Sequence, residues 1–160
     1  MKKFALVLFL LAAGTTISNA QLILSFKATT GDSELDNILT DIHNQAVKNI
    51  NAFTSNVVNT FNVVQSKVDA ALKILAPGDV YMAAQVSLST NKPFDEVVQT
   101  YSKNKQKGWG EMAKEMGIKP GSAEFHAMKN SMKEKHGKGN GNSGAKGNGK
   151  GNGKGGGKKK

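Results

Sequence analysis

No glycine or proline interrupts the chain from Ser33 to Ala76, and the apolar residues inside that stretch recur at a helical interval. One stripe runs Leu35, Leu39, Ile42, Ala46, Ile50, Phe53, Val57, Phe61, Val64, Val68, Ala71 and Leu75. It covers 40 residues in 11 steps, about 3.6 per step, the α-helical period. The pattern predicts one long amphipathic helix over 33–76, ~65 Å in length if straight. Ser33 with Asp36 three residues later has the form of a capping box at its start. Asn, Val and Thr crowd 56–64 and each lowers helix propensity by a few tenths of a kcal/mol, which makes that stretch the place for a kink.

The rest of the body also reads as helix. Pro77-Gly78 ends the long segment, and Asp79 suits the cap of a short helix over 79–88 with Val80, Ala84 and Leu88 on one face. Pro93 fits a first helical position, and Phe94, Val97, Val98 and Tyr101 follow at i, i+3, i+4, i+7, predicting a helix over 93–104. Asp95 and Glu96 fall in its first turn, where the helix dipole favours acids. Trp109, Met112, Ala113 and Met116 mark a helix over 109–117, which Gly117 closes as a left-handed cap with Ile118 folding back on it. Ser122 caps a last helix over 122–135 with Phe125, Met128 and Met132 on its face. The expected fold class is all-α: one long helix packed with three or four short ones in a single domain, 33–136.

Two segments flank that domain. Lys2 and Lys3, the ten apolar residues Phe4–Ala13, and the small residues Ser18 and Ala20 form a secretory leader over 1–20, too short in its apolar part to span a bilayer. Cleavage after Ala20 predicts a periplasmic or extracellular protein. Residues 21–32, with Leu22-Ile23-Leu24 and Phe26 before a Gly31-Asp32 turn, read as an apolar arm laid on the core. At the other end, the 24 residues of 137–160 hold 11 Gly, 7 Lys and no acid. Such a segment has nothing to bury, and its expected state is a disordered cationic tail.

Composition excludes several chemistries. There is no cysteine, hence no disulfide, no thiolate metal site and no thiol nucleophile. All 22 basic residues are lysine. Lysine is a hydrated point charge, whereas arginine is the planar fork that reads guanine edges and clasps phosphates, so this cation set suits diffuse attraction over sequence reading. The charge is lopsided: 21–100 has 5 Lys against 8 acids, and 101–160 has 15 Lys against 4.

Candidate sites are few. His43, His126 and His136 include no i, i+4 pair, so no metal or other cofactor is expected. Glu111 and Glu115 lie among lysines, as on a solvated face, and no serine has a nucleophile elbow around it, so no enzyme activity and no small-molecule substrate is implied. Gly139 to Gly144 matches a dinucleotide-binding glycine pattern, but no strand precedes it and no helix follows. Trp109, between two glycines, reads as a core anchor. The residues singled out for binding are the tail lysines Lys138, Lys146, Lys150, Lys154, Lys158, Lys159 and Lys160. Seven lysines without an acid attract polyanions such as DNA, polysaccharide, lipopolysaccharide or an anionic membrane surface, through counterion release. Two other readings stay open: self-association through the 35–75 stripe into a homo-oligomer, and nucleic-acid binding by the helix-turn-helix-like segment 109–135.

The run Gly108-Trp109-Gly110, then Ala113-Lys114, Gly117-Ile118-Lys119-Pro120-Gly121-Ser122 and Glu124-Phe125-His126, resembles a pattern in small exported bacterial proteins of uncharacterised activity. The resemblance covers residues 93–130 and implies no catalytic residue.

Overall fold

The computed structural model describes residues 26–139 and is all-α over them. Its helices are α1 (Ser33–Lys48), α2 (Ile50–Phe61), α3 (Gln65–Leu72), α4 (Pro77–Thr90), α5 (Phe94–Lys103), α6 (Gly108–Glu115) and α7 (Ala123–Gly139), with a 3-10 turn at Lys105–Lys107. The leader over 1–20, residues 21–25 of the arm, and the tail lysines Lys146 to Lys160 lie outside the described residues.

The stretch predicted as one helix over 33–76 is divided into three. Asn49 leaves helical backbone at φ −151° and its side chain accepts from Ala52 N, capping α2 while ending α1. Asn62 takes the left-handed conformation at φ 54°, closes α2, and is followed by extended backbone at Val64. Asparagine tolerates both roles because its short amide bonds local backbone. The apolar phase survives both corners, so ten of the twelve stripe residues remain buried; the exceptions are Ile50 and Val64, one at each break.

α4 is the central element. Every residue from Pro77 to Val86 is buried, and α1, α2, α3, α5 and α7 all pack on it. Gly78, Ala83 and Ala84 keep it slim enough for that. It starts earlier than expected: Pro77 takes the first helical position, which the missing proline N–H suits. Asp79 therefore sits inside the first turn rather than capping it, and Leu88 lies half exposed. Similar small shifts occur elsewhere. Asp32, not Ser33, caps α1, accepting from Glu34 N and Leu35 N, while Asp36 turns back to bind the N–H and hydroxyl of Thr30. Pro93 is the cap of α5 rather than its first residue.

The C-terminal end of α6 forms as predicted. Gly117 has φ +103°, its N–H reaches Lys114 O, and Ile118 N reaches Ala113 O at 2.8 Å. That pair of bonds is a Schellman closure, and Ile118 is buried by it. Ser122 caps α7 by accepting from Phe125 N. α7 then continues to Gly139, past the expected end at 135, because Lys135 and His136 hold its last turns on the body.

Candidate functional site

The Gly-Trp-Gly unit is where the arm docks. Gly110 N donates to Thr29 O at 3.2 Å. A Cβ on Gly108 would stand 2.8 Å from Thr29 O, and one on Gly110 would stand 2.6 Å from Thr30 O. Both glycines are thus required by a backbone crossing directly above them. Gly78 on α4 serves the same arm, since its Cβ would fall 2.4 Å from the Phe26 ring. That ring also stacks on His43 with centroids 4.6 Å apart.

Between the glycines, Trp109 is fully buried, as expected. Its indole stacks on Tyr101 at 3.8 Å, nearly parallel, and its Nε1–H donates to Asp79 at 2.8 Å. The Tyr101 hydroxyl lies close enough to act on that carboxylate, and Thr29 on Tyr101. Burial pushes the Asp79 carboxyl above its ordinary range, and the indole and phenol donors and the nearby Lys105 and His43 only partly offset it. Burial and the Asp79 charge push the Tyr101 phenol up as well. Sequence reasoning missed Asp79 as a core acid; a carboxylate two residues past a proline, with a lone tryptophan elsewhere to bond it, was the available signal.

Trp109 and Gly110 share a cavity of about 360 Å³ with Pro120 and Gly121, so the two halves of the Gly-Trp-Gly and Lys-Pro-Gly-Ser pattern meet in space. Asp32 and Glu111 stand at this cavity, but each carboxylate faces a lysine, Lys129 at 2.7 Å and Lys114 at 3.5 Å. Burial raises the Asp32 pKa, yet Lys129 and the Leu35 and Glu34 N–H groups outweigh it and hold the carboxyl below its usual value.

The body largely neutralises itself. Residues 21–136 contain 13 Lys and 12 acids. Lys67 pairs with Asp95, Lys92 with Glu96, Lys107 with Glu115, and Lys129 and Lys133 with Glu34. Lys105 donates to Ile74 O, near the end of α3. The second helix of the 109–135 hairpin lies against α1 and α4, with Met128 and Met132 in the core and Lys129 and Lys133 engaged by Asp32 and Glu34. Of the singled-out tail lysines, Lys138 falls on the last turn of α7 and the other six lie outside the described residues.

Among the described residues no group of three or more His, Asp or Glu stands where it could hold a metal ion, and no helix is long and apolar enough to cross a membrane. No family model matches the chain, and neither a curated protein nor a solved structure matches it.

Proposed function

We propose that this is an exported, non-enzymatic helical protein whose lysine-rich C-terminal segment holds it on anionic polymers of the cell envelope or its surroundings. The observation that carries the reading is the separation of charge. The body has 13 Lys against 12 acids and ties many of them in ion pairs, whereas 137–160 has 7 Lys and no acid. A polyanion therefore meets an almost neutral body and an uncompensated positive segment. Lysine alone, without arginine, favours phosphate, sulfate and carboxylate polymers without regard to sequence.

Neither alternative has a comparable support. The stripe that suggested self-association is spent on the chain's own core. The hairpin that suggested DNA reading has its second helix packed inward, with Lys129 and Lys133 already paired.

The test is retention on heparin and on duplex DNA across a salt series, with the intact chain and with the seven tail lysines changed to glutamine. Full engagement of seven lysines predicts a slope of log affinity against log salt of about −6 on duplex DNA. The glutamine variant should elute near the void at low salt. Equal retention of the two proteins would refute the proposal.

A further inference from the structure

The corner between α1 and α2, which the helical periodicity does not reveal, opens a groove of about 310 Å³. Its floor is apolar: Ile42, Ala46, Phe53 and Tyr81 all line it and all are buried. Its rim carries the amides of Gln45 and Asn49. α7 closes it with Lys135 and His136.

Lys135 is unlike its neighbours on α7. Lys129 and Lys133 each meet carboxylates, but Lys135 has none within 4 Å among the described residues. Its Nζ donates to the buried Gln85 amide at 3.0 Å and stands 4.5 Å above the Phe61 ring. Both partners are neutral, and an ammonium has three protons to donate. Partial burial pushes its pKa down, as it does for a charge that its surroundings do not balance. Asp41 approaches this end through His136, at 3.7 Å, but is largely exposed. The first turn of α2 borders the groove, so its dipole adds positive potential of the same sign.

We propose that this groove binds a small amphipathic carboxylate, its apolar body on Phe53 and Tyr81 and its carboxylate on the Lys135 ammonium. The volume lies at the low end of the ~300–1,000 Å³ typical of small-molecule sites, which fits a short acyl or aryl acid and leaves no room for a peptide. One ammonium beside one imidazole matches a monoanion. A phosphate dianion would be left under-neutralised against an apolar floor. This site is separate from the tail and does not depend on polyanion binding.

The experiment is calorimetric titration of the intact chain with octanoate, octanol and octylammonium at pH 7. Octanoate should saturate at one per chain, octanol should bind at least about tenfold more weakly, and octylammonium should not bind, since a charge-assisted hydrogen bond is worth roughly one decade or more in affinity. Lys135→Gln, which keeps a donor for Gln85, should lower octanoate affinity about tenfold and leave octanol unchanged. Ala52→Phe fills the groove from an exposed rim position and should abolish both, with helix content unchanged by circular dichroism. Octanoate binding that survives both substitutions reflects the tail lysines and overturns the proposal, as does octanoate binding no better than octanol. Binding seen only after removal of 21–25 means that Leu22-Ile23-Leu24 fill the groove, and overturns it too.

Discussion

The indole N–H of Trp109 donates to the Asp79 carboxylate at 2.8 Å across 30 positions of sequence, in a place that solvent barely reaches. This bond ties the first turn of α4 to the first turn of α6, and Tyr101 of α5 stacks on the same indole. One tryptophan thus joins three helices. The cost of burying Asp79 is only partly offset, because its partners are neutral donors rather than a contacting cation.

That imbalance fixes a pH dependence. The folded-state pKa of Asp79 lies above its ordinary 3.8. From 3.8 up to the raised value the folded chain binds more protons than the unfolded chain, so the stability this group contributes is present in acid and lost as pH rises through the raised value. Asp79→Asn keeps an acceptor for Trp109 and cannot ionise. It should be more stable than the parent at pH 7 in urea unfolding, and the gain should vanish below about pH 3.8. Trp109→Phe strips a donor from the buried acid and should cost about 1–3 kcal/mol at pH 7.

Gly110→Ala separates local helix preference from arm docking. In an open helix the change would gain about 1 kcal/mol. Here the new Cβ would stand 2.6 Å from Thr30 O, which is backbone and cannot yield cheaply. A net loss of about 1–3 kcal/mol is expected, with faster tryptic cleavage after Lys27 in the arm. Gly117→Ala is the control. Nothing lies within 4 Å of its Cβ, and only the φ of +103° resists it. It should cost about 1 kcal/mol without exposing Lys27.

Asp32 combines two duties that substitution can split. Its carboxylate caps α1 and pairs with Lys129 at 2.7 Å. Asp32→Ala removes both and should cost about 1 kcal/mol for the cap alone. Asp32→Asn keeps the cap and loses the charge, so its cost should be smaller. The Asp32 pKa is lowered, so the contribution of its charge is present above 3.8 and lost as pH falls through the lowered value. Parent and Asp32→Asn should therefore converge in acid, as parent and Asp79→Asn do, but at pH 7 the Asp32→Asn variant should be the less stable of its pair where Asp79→Asn is the more stable.

Local signals carried much of the fold. The Trp109, Met112, Ala113 face, the Gly117 closure and the Ser122 cap depend on residues within one or two turns of each other, and the structure has all three. The corner at Asn62 falls inside 56–64, the stretch whose Asn, Val and Thr marked it as the place for a kink, whereas the corner at Asn49 was hidden because the apolar phase runs through it unbroken, leaving only Ile50 exposed to mark it. The groove made by the first corner was hidden with it. The glycines flanking Trp109 were visible, but their reason was not: the backbone that crosses them comes from Thr29 and Thr30, some eighty positions earlier. Asp79 looked like a cap because caps are local, and its actual partner is not.

Asn62 and Asn91 test whether these corners are held by backbone chemistry. Both are non-glycine residues at φ 54°, each ending a helix, α2 and α4 respectively. Neither side chain is needed for the core, and the left-handed region costs an ordinary L-residue roughly 1–2 kcal/mol while costing glycine nothing. Asn is an intermediate case. Asn62→Gly and Asn91→Gly should each be neutral or stabilise by up to about 1 kcal/mol, despite the added freedom of the unfolded chain. Asn62→Ala and Asn91→Ala should each lose about 1 kcal/mol. If Asn62→Ala instead raises the thermal midpoint, the α2–α3 corner is not set by left-handed backbone, and the continuous helix implied by the stripe is within reach of a single substitution.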